Sequence, residues 1–354
     1  MRIWIDINTP KQVLFFKLFY EKLLLLKYEV LLTSRKYREV ELISDNIGLP
    51  LHYIGKHGGH SLYGKLSSSN DRVVELTKLI NDWSPVLSIS FSSPDCARVS
   101  YGLNIDHFSI NDSPHSDKVA RLTIPLSKLL FTPWIIPDNN WTDYGIDSSQ
   151  IIKYNAIDPA AWLKRNISWN DSENLNLDSN KKTITIRLEE SQASYLHGID
   201  LSNSFNLVND LVNHFRDHNL IVLSRYPQQL KMINEKLGSK CIIPQGIVNG
   251  CKLLQESDLF IGLGGTMNAE SALLGTPTIS AYPGVTTIVE DFLIKKGLIF
   301  RLHDLDKIIP QSDVLLNDDI LKKKITSDAS HILNEMEDPI EKIVSVSDTY
   351  LKNK

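Results

Sequence analysis

The sequence predicts an α/β protein built from two doubly wound, Rossmann-like parallel-sheet domains facing a central cleft, and three observations carry that prediction. Short apolar or β-branched runs of strand length alternate with runs of helical length along most of the chain, the pattern of a parallel sheet joined by crossover helices. The 354 residues exceed one ordinary core and suit two domains. The alternation lapses once, between Asp158 and Lys182, where Asn166, Asn170, Asp171, Ser172, Asn174, Asn176, Asp178, Ser179 and Asn180 crowd a polar stretch of linker character. The expected division is an N-terminal domain over 1–157, a linker over 158–181, a C-terminal domain over 182–330, and a terminal helical segment over 331–354 that packs back across the linker.

Arg2 to Ile7 reads as the first strand, followed by the turn Asn8-Thr9-Pro10-Lys11. Gln12 to Lys27 has helical length, Glu29 to Thr33 reads as a strand and Tyr37 to Ile47 as a helix. Leu51 to Ile54 is a third strand running into the glycine loop Lys56-His57-Gly58-Gly59-His60-Ser61, at the sheet edge where open α/β folds bind ligands. Asp71 to Trp83 is a helix closed by Pro85, Val86 to Phe91 a strand, and Asp106 to Ile110 a strand emptying into Asn111-Asp112-Ser113-Pro114-His115-Ser116. Asp112 and His115 in that loop are the acid/base candidates of this half, because a carboxylate and an imidazole meet at a strand end. An Asx-turn, with Asp112 bonding its own backbone, is the structural alternative. Strands near 129–132 and 151–153 complete the domain.

In the second half, strands are expected at 182–188, 220–224 and 241–244, with helices at 205–218, 228–237 and 250–256. Asp258 to Ser280 is its organising stretch. Asp258-Leu259-Phe260-Ile261-Gly262-Leu263 reads as a buried strand, Gly264 and Gly265 as a turn, and Thr266 as the N-cap of a helix that ends before Gly275 and Pro277. A helix N-terminus beside glycine backbone attracts phosphate, because unpaired N–H groups and the positive end of the helix dipole converge there. Glu270, one turn further on, is placed to accept from the hydroxyls of a ribose, or it simply complements the dipole. Arg187 and Arg225 end strands in the same half, where guanidinium groups suit a pyrophosphate. Asn8 and His57 join them as substrate-binding candidates at the sheet edge of the first half.

The third glycine of a dinucleotide fingerprint falls on Met267, and no P-loop motif occurs. A net charge of −4 and a pI near 6.2 exclude an overall electrostatic footprint for nucleic acid. Cys96, Cys241 and Cys251 are few, odd in number and not at zinc spacing, so a reducing, cytoplasmic setting is expected, with no cofactor and no metal assigned. Asp304-Leu305-Asp306 matches a D-x-D pattern that carries a metal-bound nucleotide sugar in a different fold, but it follows the last strand and is read as coincidence. No apolar run reaches transmembrane length, and the chain does not open on a signal-peptide core. Oligomerisation stays open.

Gly262 to Ser280 with Tyr282-Pro283-Gly284, Ile54 to Gly59, Asn111-Asp112, and Arg2 to Asp6 with Pro10, Val13 and Phe15-Phe16 resemble an archaeal family, domain of unknown function 354. That family is similar in fold to GT-B nucleotide-sugar glycosyltransferases and UDP-N-acetylglucosamine 2-epimerases. The resemblance implies a GT-B-like architecture with a nucleotide-sugar donor in the C-terminal domain, diphosphate at Gly264, Gly265 and Thr266 and ribose at Glu270. An unknown acceptor would lie against the N-terminal domain. Two departures separate the chain from the epimerases: Ile186 stands where their T-x-H-R-x-E-N element has histidine, and Ser92-Ser93-Pro94-Asp95 replaces their G-D-T loop. A third departs from the family itself, whose P-x-H-V-H-F-F pattern has histidines where this chain has Gln12 and Leu14. A metal-independent glycosyltransferase is therefore the first expectation, with a 2-epimerase-like isomerase or a non-catalytic nucleotide-sugar-binding protein as alternatives.

Overall fold

The computed structural model describes residues 1–354 except 60, 166, 171, 190–201 and 225, and also leaves aside the side chains of 202–204, 227 and 305. The chain divides into two units, Met1–Asn170 with Met336–Lys354, and Asp171–Glu335. Each has its own parallel sheet flanked by helices.

The first unit has a seven-stranded sheet in the order β3-β2-β1-β4-β5-β6-β7. Its strands are β1 (Arg2–Ile7), β2 (Glu29–Lys36), β3 (His52–Lys56), β4 (Leu87–Ser90), β5 (Asp106–Ile110), β6 (Leu129–Pro133) and β7 (Ile151–Tyr154). The order reverses between β1 and β4, and such a switch point opens a crevice at the carboxyl ends of its strands. Trp4, Phe15, Phe16, Phe19, Phe108 and Phe131 are fully buried in this unit. Phe15 and Phe16 both meet Phe91 edge-on, at 4.8 and 5.5 Å between ring centres.

The second unit has five strands, β8 (Thr183–Arg187), β9 (Asn219–Leu223), β10 (Leu259–Gly262), β11 (Thr278–Ser280) and β12 (Ile299–Arg301), in the order β12-β11-β10-β8-β9. Here the switch point lies between β8 and β10.

Several boundaries differ from the sequence reading. The helix expected over 71–83 is Leu62–Trp83, because Ser61 caps it by accepting the Gly64 amide and the polar run Ser67-Ser68-Ser69-Asn70 continues the helix. The strand expected over 241–244 contributes only an isolated bridge between Ile221 and Ile242. The polar stretch after 157 opens with Asp158, which is 1% exposed, and with a short helix, Ala160–Leu163, whose Ala160 and Ala161 are fully buried. Asn317 to Lys354, read as helical, holds the helices Asp319–Glu335 and Pro339–Lys352, and the latter packs in the first unit against Pro10–Leu25. Among the described residues no helix is long and apolar enough to cross a membrane.

Candidate functional site

In the second unit the glycine turn leaves β10 at the switch point. The Leu263 amide donates to the Arg187 carbonyl at the end of β8, 3.0 Å away, so turn and arginine share one sheet edge. Gly264 and Gly265 have φ of 113° and 95°, backbone that side-chain-bearing residues rarely adopt. A Cβ on Gly264 would lie 2.5 Å from the Tyr282 ring, so both conformation and space demand glycine there. The helix is Thr266–Leu273, and its N-cap is Gly265, not Thr266. The expected threonine cap fails because the turn completes its reversal one residue earlier, which leaves Thr266 as the first helical residue. Gly265 is exposed and Thr266 partly so. Glu270 is 6% exposed, and its charge, after burial, helps push the Cys251 thiol above its ordinary range.

A buried ion pair stands behind this turn. Arg301 meets Glu290 at 3.1 Å and donates to the carbonyls of Tyr282 and Gly284, at 2.9 and 2.6 Å, while its guanidinium lies 5.6 Å from the centre of the Tyr282 ring. Glu290 also accepts from Ser280. This network seats Tyr282 over Gly264. Arg187 is partly buried, and one of its NH groups donates to the Ser224 carbonyl at 2.9 Å. Arg225 lies outside the described residues.

In the first unit, Asp6 lies next to the end of β1, fully buried, and accepts from Thr33, Ser93, Asn8 and Arg72. Burial alone would raise its pKa, but the Arg72 guanidinium and these donors hold it below the ordinary carboxylate value. Arg72 also donates to Asp95 at 2.9 Å and to the Ile54 carbonyl at 2.9 Å.

Beyond this network, Asp112 forms an ion pair with Lys11 at 2.8 Å, and the same ammonium lies 3.3 Å from Asp158. Tyr154 donates to Asp158 at 2.5 Å. Burial raises the pKa of both acids. Lys11 overrides it at Asp112, which stays below the usual range, whereas burial together with the Asp112 carboxylate pushes Asp158 up to about 7. The Asx-turn belongs to Asn111, whose Oδ1 accepts from the Ser113 amide at 2.7 Å, so Asp112 is not consumed by its own backbone.

His115 is exposed at the rim of this loop. Desolvation and the Lys11 ammonium lower its pKa against the opposing pull of Asp112, leaving the imidazole neutral near pH 7. His57 stacks on Tyr37 at 5.3 Å between ring centres, and its Nδ1 accepts from the Gly59 amide at 3.1 Å. Asn8 donates to Asp6 at 3.0 Å.

The structure thus gathers Asn8, Asp112 and His115 onto loops at the carboxyl ends of β1 and β5, and His57 onto that of β3. Gly264, Gly265, Thr266 and Arg187 gather at the corresponding edge of the other sheet. Lys11, Arg72, Asp95 and Asp158 were missed by sequence reasoning. Asp6, which holds Arg72, was missed with them; an acid within the apolar run Ile-Trp-Ile-Asp-Ile and a lysine directly after the proline that opens the first helix were the available signals. Among the described residues no three His, Cys, Asp or Glu side chains are placed to hold a metal ion.

Comparison with known proteins bears on the fold. A chain of Methanocaldococcus jannaschii described as uncharacterized is 29% identical over 313 residues, covering 87% of this chain and 89% of its own. The UDP-GlcNAc 2-epimerase from Neisseria meningitidis, solved bound to UDP-GlcNAc, has a TM-score of 0.74 at 16% identity and is covered completely, as is this chain. The Methanocaldococcus jannaschii UDP-GlcNAc 2-epimerase, solved with UDP-GlcNAc and UDP, gives 0.71 at 15% identity over 94% of this chain and 99% of its own. The spinosyn forosaminyltransferase SpnP gives 0.67 at 14% identity over 99% of both chains. The fold is therefore the two-domain type shared by these epimerases and GT-B transferases. A family profile described as "Protein of unknown function (DUF354)" matches residues 1–346, and the chain belongs to that family.

Proposed function

We propose that this chain is a metal-independent glycosyltransferase whose donor is a nucleotide-diphosphate sugar of the UDP-sugar kind. The observation that carries the proposal is the Gly264-Gly265-Thr266 turn at the switch point of the second unit. Two glycines of positive φ bring bare backbone to the start of a helix, with an exposed Gly265 and a carboxylate one turn in. A diphosphate on these amides is stabilised by the helix N-terminus, and the same groups stabilise it as a leaving group. Glu270 holds the ribose, and Arg187 adds positive charge beside the pyrophosphate.

In the first unit, Asn8 and His57 contact the acceptor, and Asp112 and His115 provide acid/base chemistry. The ion pair with Lys11 keeps Asp112 ionised, while the neutral imidazole of His115 is the better proton acceptor for a hydroxyl near pH 7. Isothermal titration with UDP and UDP-sugars tests the donor assignment. Glu270→Ala is expected to weaken UDP binding by roughly tenfold or more, the loss of charge-assisted hydrogen bonds to a ribose. Unchanged affinity would remove Glu270 from the site.

A 2-epimerase-like isomerase is the second reading, favoured by the fold shared with the epimerases. Against it stand Ile186 and the Ser92-Ser93-Pro94-Asp95 loop, which replace residues of the epimerase motifs. Incubation with UDP-N-acetylglucosamine in deuterated water separates the two. Solvent deuterium in the recovered sugar supports isomerisation, and acceptor-dependent transfer supports the first reading.

A further inference from the structure

Three side-chain atoms at the carboxyl edge of the first unit's sheet are buried without a hydrogen-bond partner among the described residues: Asn8 Oδ1, Thr9 Oγ1 and Arg35 Nε. The topology brings them together. Ile7 of β1 is paired with Ser34 of β2, so Asn8 and Arg35 are the next residues along two hydrogen-bonded strands, and Thr9 follows.

Local structure leaves each of the three open. The amide nitrogen of Asn8 is fixed on the Asp6 carboxylate, which only accepts, so the orphaned atom is the carbonyl oxygen. Thr9 stands at an N-cap with φ −140° and ψ 158°, yet its hydroxyl makes no capping bond. The Gln12 amide, which a capping hydroxyl would take, donates to the Thr9 carbonyl at 3.0 Å, while the Gln12 Oε1 accepts from the Asn8 amide at 2.6 Å.

Arg35 sits where the register between β2 and β3 slips. Ser34 is opposite Tyr53 and Lys36 opposite Lys56, so Ile54 and Gly55 together face Arg35 alone. Such bulges re-aim side chains beside functional sites. The acids within its electrostatic reach, Asp6 and Asp95, are already bonded to Arg72. Arg35 has neither ion pair nor side-chain hydrogen bond among the described residues. A partly desolvated guanidinium in that condition, close to a second arginine, is unfavourable until an anion arrives.

We propose that Asn8, Thr9 and Arg35 form the recognition site for a hydroxylated acceptor bearing an oxyanion, a sugar phosphate or a sugar carboxylate. Calling this ligand the acceptor rests on the transferase reading. Two side-by-side anion oxygens meet the Arg35 fork, a neighbouring hydroxyl donates to Asn8 Oδ1, and the Thr9 hydroxyl donates to a further oxygen.

The test is titration of the full chain with glucose 1-phosphate, glucuronate and glucose at equal ionic strength, with UDP titrated separately. At least one anion is expected to bind roughly tenfold or more tightly than glucose, and which anion binds identifies phosphate or carboxylate as the group recognised. Arg35→Met should abolish that binding, leave UDP affinity unchanged, and melt no lower than the parent, because an unpaired cation has been removed. Arg35→Lys keeps the charge without the fork and should bind more weakly than the parent. The proposal is overturned if neither anion binds, if glucose binds equally well, if Arg35→Met retains anion binding, or if Arg35→Met lowers the melting temperature. Loss of UDP binding in the parent would sink the transferase reading alone, since the anion titration is independent of it.

Discussion

Lys11 stands between two carboxylates, and one ammonium cannot fully compensate two buried anions. The pair therefore divides, with Asp112 ionised and Asp158 titrating near 7. An acid whose folded pKa is raised contributes stability that is present below its unfolded value, near 3.8, and is lost as pH rises through about 7. His107 acts in the opposite sense. It is buried against Ser88, Ser90 and Cys96, and burial lowers its pKa to about 4, so stability is lost as pH falls from 6.5 toward 4. Each slope is at most about 1.4 kcal/mol per pH unit, and between about pH 4 and 6.5 the two oppose. Urea unfolding across this range should give the parent a flatter profile than Asp158→Asn, in which stability climbs with pH. Superimposable profiles would mean that Asp158 does not hold a proton in the fold. The position of Asp112 and His115 at the end of β5 was legible because polar groups at a strand end are conspicuous. Asp158 was hidden by its polar neighbours, which gave it the composition of a linker, and Lys11 by a position that ordinarily faces solvent.

At the scale of elements, the unit from β10 through the glycine turn to β11 was readable almost residue by residue, since an apolar run, two glycines and a Gly-x-Pro stop leave few conformations open. What the sequence could not display was its support, because Arg301 and Glu290 are distant in the chain from the turn they brace. Both are nearly buried, with side chains 6% and 9% exposed. Arg301→Met strands Glu290 without its cation and should cost about 3–5 kcal/mol, read as a lower urea midpoint of the second unit. Releasing Tyr282 from the Arg301 donors should also weaken UDP binding under the proposed function. Gly264→Ala acts on the turn itself. It forces a side chain into backbone at φ 113° and against Tyr282, a strain of about 1–3 kcal/mol, and should lower UDP affinity by displacing the amides. If titration shows undiminished affinity in Gly264→Ala, the diphosphate does not rest on this turn.

For the whole molecule, alternation of strands and helices made two parallel-sheet units legible, and the terminal segment was expected to pack back across the linker without its partners being named. Pro339–Lys352 belongs to the first unit. Ile340, Ile343 and Leu351 are fully buried there, Tyr28 donates to Asp348 at 2.8 Å, and Tyr350 donates to Asp106 at 2.8 Å beside an edge contact with Phe108. Burying three aliphatic side chains contributes about 2 kcal/mol each, so the helix supplies roughly 6 kcal/mol before its polar contacts are counted. That is comparable to the whole net stability of an ordinary domain, about 5–15 kcal/mol. Removing 336–354 should therefore unfold the first unit or bring it near its midpoint, while the contiguous Asp171–Glu335 unit keeps its sheet. Hydrogen exchange should show β1, β4 and β5 losing protection and β8, β10 and β11 retaining it. UDP binding should survive the truncation, because every residue assigned to the donor lies between 187 and 270. Equal loss of protection in both sheets would show instead that the two units fold as one cooperative body, and the donor site could then not be treated as the property of the second unit alone.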